Sequence, residues 1–375
     1  NDQRPLLKAI TVEHPLQPFS PTYVMKNRDP RLFTYAREWF EKSMIIDLTD
    51  PVSTNTDEKA LHVSLESLAR FIKAPVKTFC NNTLKFGFDE ENITSKDNEP
   101  FNFDNLQTYI FSKNLLDGLI NENPDDVDDF LEQQQIEMAR KGQLPIGGFA
   151  QAAYAGLAEP VKQVWENYQS LFPEWSTILD DHVLELKPIE LQNGVTVQLT
   201  GYLNQLRRRR NQQGNGLIYL TAQRLIDKDK TIKYPNLLLH WVQHLAACAD
   251  HLAVQTFVIA ADAVIEIPAI DQAKAYGLLQ SLAEAYHQGM QAPLPVACKT
   301  AFVWLAASAG SDQKKALEKA KSRYEGDDGI SGEMAYDVYL TRFFPTFASL
   351  YPTDENKNFE YWANTLYRSV FDQIK

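Results

Sequence analysis

Apolar residues recur at helical spacing through the first half of the chain, and the pattern then switches to alternation. In residues 31–43, Leu32, Tyr35, Trp39 and Phe40 fall on one helical face. Residues 44–63 show no such period and read as loop. Ser64, with Glu66 and Ser67 behind it, supplies a helix start, and Leu65, Leu68, Phe71 and Ile72 follow at helical spacing. Pro75 suits the first turn of a second short helix carrying Val76, Phe79 and Leu84. Longer helices are predicted over 104–121, 126–141 and 147–171. The last of these carries Phe149, Tyr154, Leu157, Val161, Val164, Trp165 and Tyr168 as its apolar residues.

Residues 183–187, 195–203 and 217–223 alternate and are rich in β-branched and aromatic side chains, which predicts strands. Asn193-Gly194 between the first two is a strong short hairpin signal, and NQQGNG at 211–216 is the next turn. A helix over 236–252, strands over 254–260 and 264–267, and a helix over 269–290 come next. Further helices are predicted over 311–323, 332–344 and 359–373. The order is α-β-β-β-α-β flanked by extra helical layers, an α/β (α+β) fold in which a sheet buries both faces.

Composition narrows the picture. The chain has 375 residues, 44% hydrophobic and 23% charged, which is ordinary for a folded protein of one large domain or two. Its 37 basic and 49 acidic residues give a net charge of −12. That argues against a surface coated in positive charge, while leaving room for a local basic patch. The acidity concentrates in 85–141, with 14 acidic and 5 basic residues, where the run NPDDVDDF reads as a helix-start cluster on a solvated face. Five prolines between Pro5 and Pro30 predict an extended entry arm. Cys80, Cys248 and Cys298 are few, odd in number and far apart, which favours a reducing compartment over a disulfide framework. The most apolar stretch, Leu252 to Ile267, is interrupted by Gln255, Asp262 and Glu266 and is too short to cross a bilayer, so no membrane association is expected. The chain opens at Asn1, and it is expected to be a piece of a longer protein.

The core order is that of the PD-(D/E)XK restriction-endonuclease-like superfamily. Five blocks sharpen this: EHPLQPFSPTYV at 13–24, LESLARFIKAPVKTFCNNTLKF at 65–86, GQLPIGGFAQ at 142–151, LTGYLNQL at 199–206 and YHQGMQAPLPV at 286–296. In that order they resemble the C-terminal part of the RecC family, the gamma subunits of exodeoxyribonuclease V (RecBCD). The resemblance implies an entry arm and helix over 1–55, joined to an upstream helicase-like region, and a nuclease-like domain over 56–375. It also implies a role in an ATP-dependent helicase–nuclease that processes double-strand breaks for recombination. RecB and RecD would be its partners, DNA ends and forks its ligands, and the bacterial cytoplasm its location.

A nuclease of this superfamily needs an aspartate ending the second core strand and an acidic residue two positions before a lysine on the third; the carboxylates hold Mg²⁺ through oxygen. In the related RecB-like branch the second strand ends G-x-x-D. Here it ends Gly201-Tyr202-Leu203-Asn204, and asparagine lacks the charge. The third strand, LIYLTAQRL at 217–225, has no acidic residue, and Gln151 stands where the branch places a histidine four residues after a glycine. The resemblance therefore implies a nuclease-like fold without catalytic residues or a metal, scaffolding its partners and guiding DNA. ATP and Mg²⁺ would be used by partner subunits, since no P-loop motif is present. An active Mg²⁺-dependent nuclease with ligands recruited from elsewhere, and a purely protein-binding module, are the competing readings.

Two other features carry possible chemistry. His240 and His244 share a helical face, with His251 and Asp250 near its end, as zinc ligands can. Trp241, not glutamate, follows the first histidine, so the hydrolytic zinc motif is broken and packing on the sheet is expected. Arg207, Arg208, Arg209 and Arg210 sit in the turn between the second and third core strands, within a segment (201–233) of net +6. All four are expected to be exposed; as planar forks on a stiff hairpin they suit DNA phosphates, with a solvated turn or an acidic partner surface as the competing readings.

Overall fold

The computed structural model describes residues 11–16, 20–23, 31–32, 60–88, 101–171, 173–210, 214–310, 312–327, 329–352 and 357–374. The chain divides into two units, Asn1–Val52 and Ser53–Lys375. In the first, Pro21–Tyr23 forms a 3₁₀ turn. The predicted entry arm and the helix over 31–43 otherwise lie almost wholly outside the described residues.

The second unit opens with a correction. Residues 60–63, read as loop, belong to strand β1 (Ala60–Ser64). The segment is short, and its partner strand begins only at Thr196, so no local period announces it. The Ser64 side chain then accepts the Ser67 N–H at 3.1 Å and starts α1 (Leu65–Lys73), with Glu66 in the favourable first turn. Pro75 opens α2 (Pro75–Asn82) as expected. Asp104 and Gln107 form a capping box at the start of α3 (Asn105–Glu122). Asp126 accepts the N–H groups of Asp128 and Asp129 at the start of α4 (Val127–Arg140), so part of the acidic run serves as a helix cap. Helix α5 (Phe149–Leu171) follows.

The strands are shorter and more divided than alternation suggested. They are β2 (Thr177–Ile178), β3 (His182–Val183), β4 (Ile189–Glu190), β5 (Thr196–Thr200), β6 (Tyr202–Leu203), β7 (Leu206–Arg208) and β8 (Asn215–Leu220). After α6 (Leu238–Ala249) come β9 (Val254–Ile259) and β10 (Val264–Ile267). Asn193-Gly194 does make the β4–β5 turn, with Gly194 at φ +80°. The predicted strand over 195–203 breaks at Gly201. A Cβ there would lie 3.0 Å from Leu65 Cγ, so the backbone presses on α1. β5 pairs in parallel with β1, and β6 pairs with β3. Only Val183 of the predicted strand over 183–187 is in a strand.

The main sheet has five strands in the order β10-β9-β8-β7-β2. β7 is antiparallel to both neighbours, β8 and β9 are parallel with α6 as their crossover, and β10 returns antiparallel. Side-chain alternation divides its two faces. Leu217, Tyr219 and Val258 join a core with α1, α2, α6 and α7 (Gln272–Gln291). Ile218, Phe257 and Ile259 face a second core built from α3, α4 and α5. The remaining elements are α8 (Cys298–Ser308), α9 (Gln313–Glu325), the ribbon β11–β12 (Gly326–Asp327 and Ile330–Ser331), α10 (Val338–Phe343), α11 (Phe359–Ala363), a π-helical turn (Asn364–Arg368) and α12 (Ser369–Gln373). Sequence reading missed α8. Its N-cap position is Ala297, and the amides of Lys299 and Thr300 are capped instead by the distant Glu333 carboxylate, at 3.0 and 2.6 Å. Among the described residues no helix is long and apolar enough to cross a membrane.

Candidate functional site

The four arginines do not share one environment. Arg207 is buried, at 1% exposure, which corrects the expectation that all four face solvent. Its guanidinium lies 5.2 Å from the centre of the Tyr168 ring on α5, and burial lowers its pKa from the ordinary value. Strand β7 lies inside the sheet, so its alternation must send one of two successive arginines toward a helical layer. Arg208 then points outward and is exposed. Arg209 is ion-paired with Glu174 and sits 5.5 Å from the Trp175 ring centre. Arg210 is exposed, and its backbone N–H is tied down, donating to the Glu174 carbonyl at 2.8 Å. Trp175 is itself buried against β8, where a Cβ on Gly216 would come within 2.8 Å of its ring. The exposed cation of β7 that faces outward is Arg208, with Arg210 following at the turn. Glu174 and Trp175 were missed from sequence; an acid–aromatic pair just before a two-residue strand carries no signal of its own.

The positions that the sequence resemblance matched to nuclease residues can also be located. Asn204 is half-buried and follows β6, between β6 and β7. Gln151 is exposed in the first turn of α5. His182 stands opposite Leu203 across the β3–β6 pair, and its Nε2 lies 2.7 Å from the Asp250 carboxylate. That carboxylate also accepts the Glu185 N–H at 3.3 Å, so it is engaged in holding the strand end. Strand β8 reads NGLIYL and offers no carboxylate. Among the described residues no group of three histidine, cysteine, aspartate or glutamate side chains converges on a metal position.

The histidines of α6 go separate ways. His244 is fully buried and shares a 2.9 Å hydrogen bond with Thr256 Oγ1 on β9. His240 packs on the Tyr219 ring at 4.6 Å. Loss of water pushes both down to about 4, so both are neutral at physiological pH. His251, past the helix end, lies 3.0 Å from Gln272. This is the packing arrangement expected from the sequence.

With this geometry in view, the chain can be set beside known proteins. The family model for the RecC C-terminal domain matches residues 60–309, from β1 to just past the end of α8. The chain belongs to the RecC C-terminal domain family. It is 25% identical over 352 residues to the RecBCD enzyme subunit RecC of Escherichia coli (strain K12), covering 89% of this chain and 28% of that protein. To the RecBCD enzyme subunit RecC of Haemophilus influenzae it is 25% identical over 284 residues, covering 74% of this chain and 23% of that one. The chain thus spans about a quarter of the length of these RecC relatives. The match to the RecC C-terminal domain takes in both α6 and the arginine hairpin.

Proposed function

We propose that this chain is a non-catalytic, nuclease-like part of a RecBCD-type helicase–nuclease, serving as scaffold and DNA guide in double-strand break repair. The observation that carries the reading is the pair of strand ends where the PD-(D/E)XK chemistry would sit. Asn204 has no charge to offer a hard cation, and β8 has no carboxylate to add. The chain order α5, β2, β7, β8, α6, β9 through the main sheet supports the nuclease-like plan. Family membership and the RecC relatives support the complex. RecB and RecD are then the partners; they supply ATP turnover and Mg²⁺-dependent cutting, and the chain itself needs neither cofactor. The cytoplasm is the corresponding compartment. DNA ends and forks are the ligands, met at the hairpin by Arg208 and Arg210. The test is incubation of the chain with linear DNA and Mg²⁺. No degradation is expected; degradation abolished by Asn204→Ala would establish the active-nuclease reading instead.

A further inference from the structure

Single exposed apolar side chains are ordinary on a protein surface; several at regular spacing on one element are not. The first turns of α3 carry such a set. Leu106, Tyr109 and Ile110 are all exposed and fall at i, i+3 and i+4, on one face of the helix. Leu115 and Leu119 follow Leu106 and Ile110 by nine residues, which is two and a half turns and so the opposite side. It is these two that enter the core, with Leu157 of α5 and Phe257 of β9. Helix α3 is therefore apolar on two opposite sides, and the described residues cover one of them. A further exposed pair precedes the stripe in the chain. Phe101 meets Phe149 at the start of α5 with ring centres 5.0 Å apart, and the two remain 70% and 52% exposed.

The surroundings are acidic. Residues 101–141 hold nine acidic and three basic side chains, net −6. Asp104 and Asp126 cap helices, Asp128 pairs with Lys162, and Glu137 pairs with Lys141. Asp117, Glu122, Asp125, Asp129 and Glu132 are exposed and make no ion pair among the described residues. Asp117 continues the apolar stripe itself, one turn beyond Lys113, which in turn lies one turn beyond Tyr109.

We infer that this face of α3 docks an amphipathic helix of a partner protein, one whose apolar stripe is bordered by lysine or arginine. The exposed apolar positions have the spacing that a second helix can meet along its length. The unpaired carboxylates select basic flanks and repel what would otherwise compete for an apolar surface. A second copy of this chain brings the same charge, and anionic lipid carries it too. The inference rests on the scaffold reading of the proposed function and gives it a surface and a partner chemistry.

The test is fluorescence anisotropy of the full chain with a labelled leucine–lysine peptide, about 18 residues long and apolar at helical spacing. Leu106→Gln and Ile110→Gln are combined in one variant, since both side chains are exposed and glutamine keeps helix propensity. The variant should melt at the unchanged temperature and bind the peptide about tenfold more weakly, as two large apolar contacts are lost. Asp117→Asn should weaken binding about twofold at low salt and less at about 200 mM, where surface charges are screened. Ile330→Gln, at an exposed apolar position on β12, should change nothing. Unchanged binding by the double variant overturns the inference. So does equal binding of a leucine–glutamate peptide of the same spacing, which would make the face apolar without a preference for basic partners. A dimer of the chain in sedimentation that the double variant abolishes also overturns it. Co-expression with partner subunits separates this inference from the reading beneath it. If the double variant assembles as the unaltered chain does, the docking face falls and the scaffold stands; if the unaltered chain assembles with none, both fall.

Discussion

Helix α6 and the β7–β8 hairpin each concentrate side chains able to do chemistry, and the fold uses them in opposite ways. Ten of the twelve residues of α6 are buried, because it is the crossover between two parallel strands and lies against the sheet along its length. His244 is shut away from water and bonded to Thr256, His240 packs at a tilt on the Tyr219 ring, and both are held neutral. The hairpin lies next to the short edge strand β2, where the sheet ends. There Arg207 is drawn inward over Tyr168, Arg209 is tied to Glu174, and Arg208 is left outside with Arg210 beside it at the turn. A residue's capacity for metal or phosphate binding thus depends first on whether the element carrying it has one free face or none.

The comparison can be broken most forcefully at α6. Leu245→Ala, at a fully buried position, should cost about 2–5 kcal/mol of stability in urea denaturation, whereas Arg208→Ser should stay within about 0.5 kcal/mol. Similar costs at the two sites would mean that the helix is not the more buried region. The next effect is pH dependence. The folded-state pKa values of His240 and His244 are lowered from 6.5 to about 4, so between those values the unfolded chain binds more protons. Their contribution is present above about pH 6.5 and is lost as pH falls toward 4, by at most about 1.4 kcal/mol per pH unit for each histidine. His244→Gln should flatten that part of the stability–pH curve; an unchanged curve would contradict the burial of the imidazole.

Within the hairpin the contrast is finer. Arg207→Ala removes a buried side chain and its packing over Tyr168, and about 1–3 kcal/mol of stability should go with it. Arg210→Ser should be close to neutral, and equal effects at 207 and 210 would erase the inward–outward division. The smallest effect belongs to metal. A chelator should leave the melting temperature unchanged, because metal affinity would otherwise appear as folding free energy. A large drop would restore the zinc reading of His240 and His244.

Much of this was legible in the sequence. Helix starts with local caps, at Ser64, Asp104 and Asp126, fell where periodicity placed them. So did the Asn193-Gly194 turn and the α6–β9–β10 run. What escaped depends on distant partners. β1 is defined by its pairing with β5, α8 is capped by Glu333 from outside its own segment, and the break at Gly201 is imposed by Leu65. The candidate site was half legible. The absence of acidic residues at Asn204 and along β8 needs only the sequence. The burial of Arg207 needs the order of strands around β7, which alternation could not supply because β2 is two residues long.

The most direct test of the central claim is the salt dependence of forked-DNA binding by the chain and by its Arg208→Ser, Arg210→Ser variant. If these arginines guide DNA, the variant should bind more weakly. Its slope of log affinity against log salt should be flatter by up to roughly 0.9 for each duplex phosphate it no longer neutralises. An unchanged affinity and slope, with failure to assemble with partner subunits, would contradict the account and make the hairpin a protein-docking element.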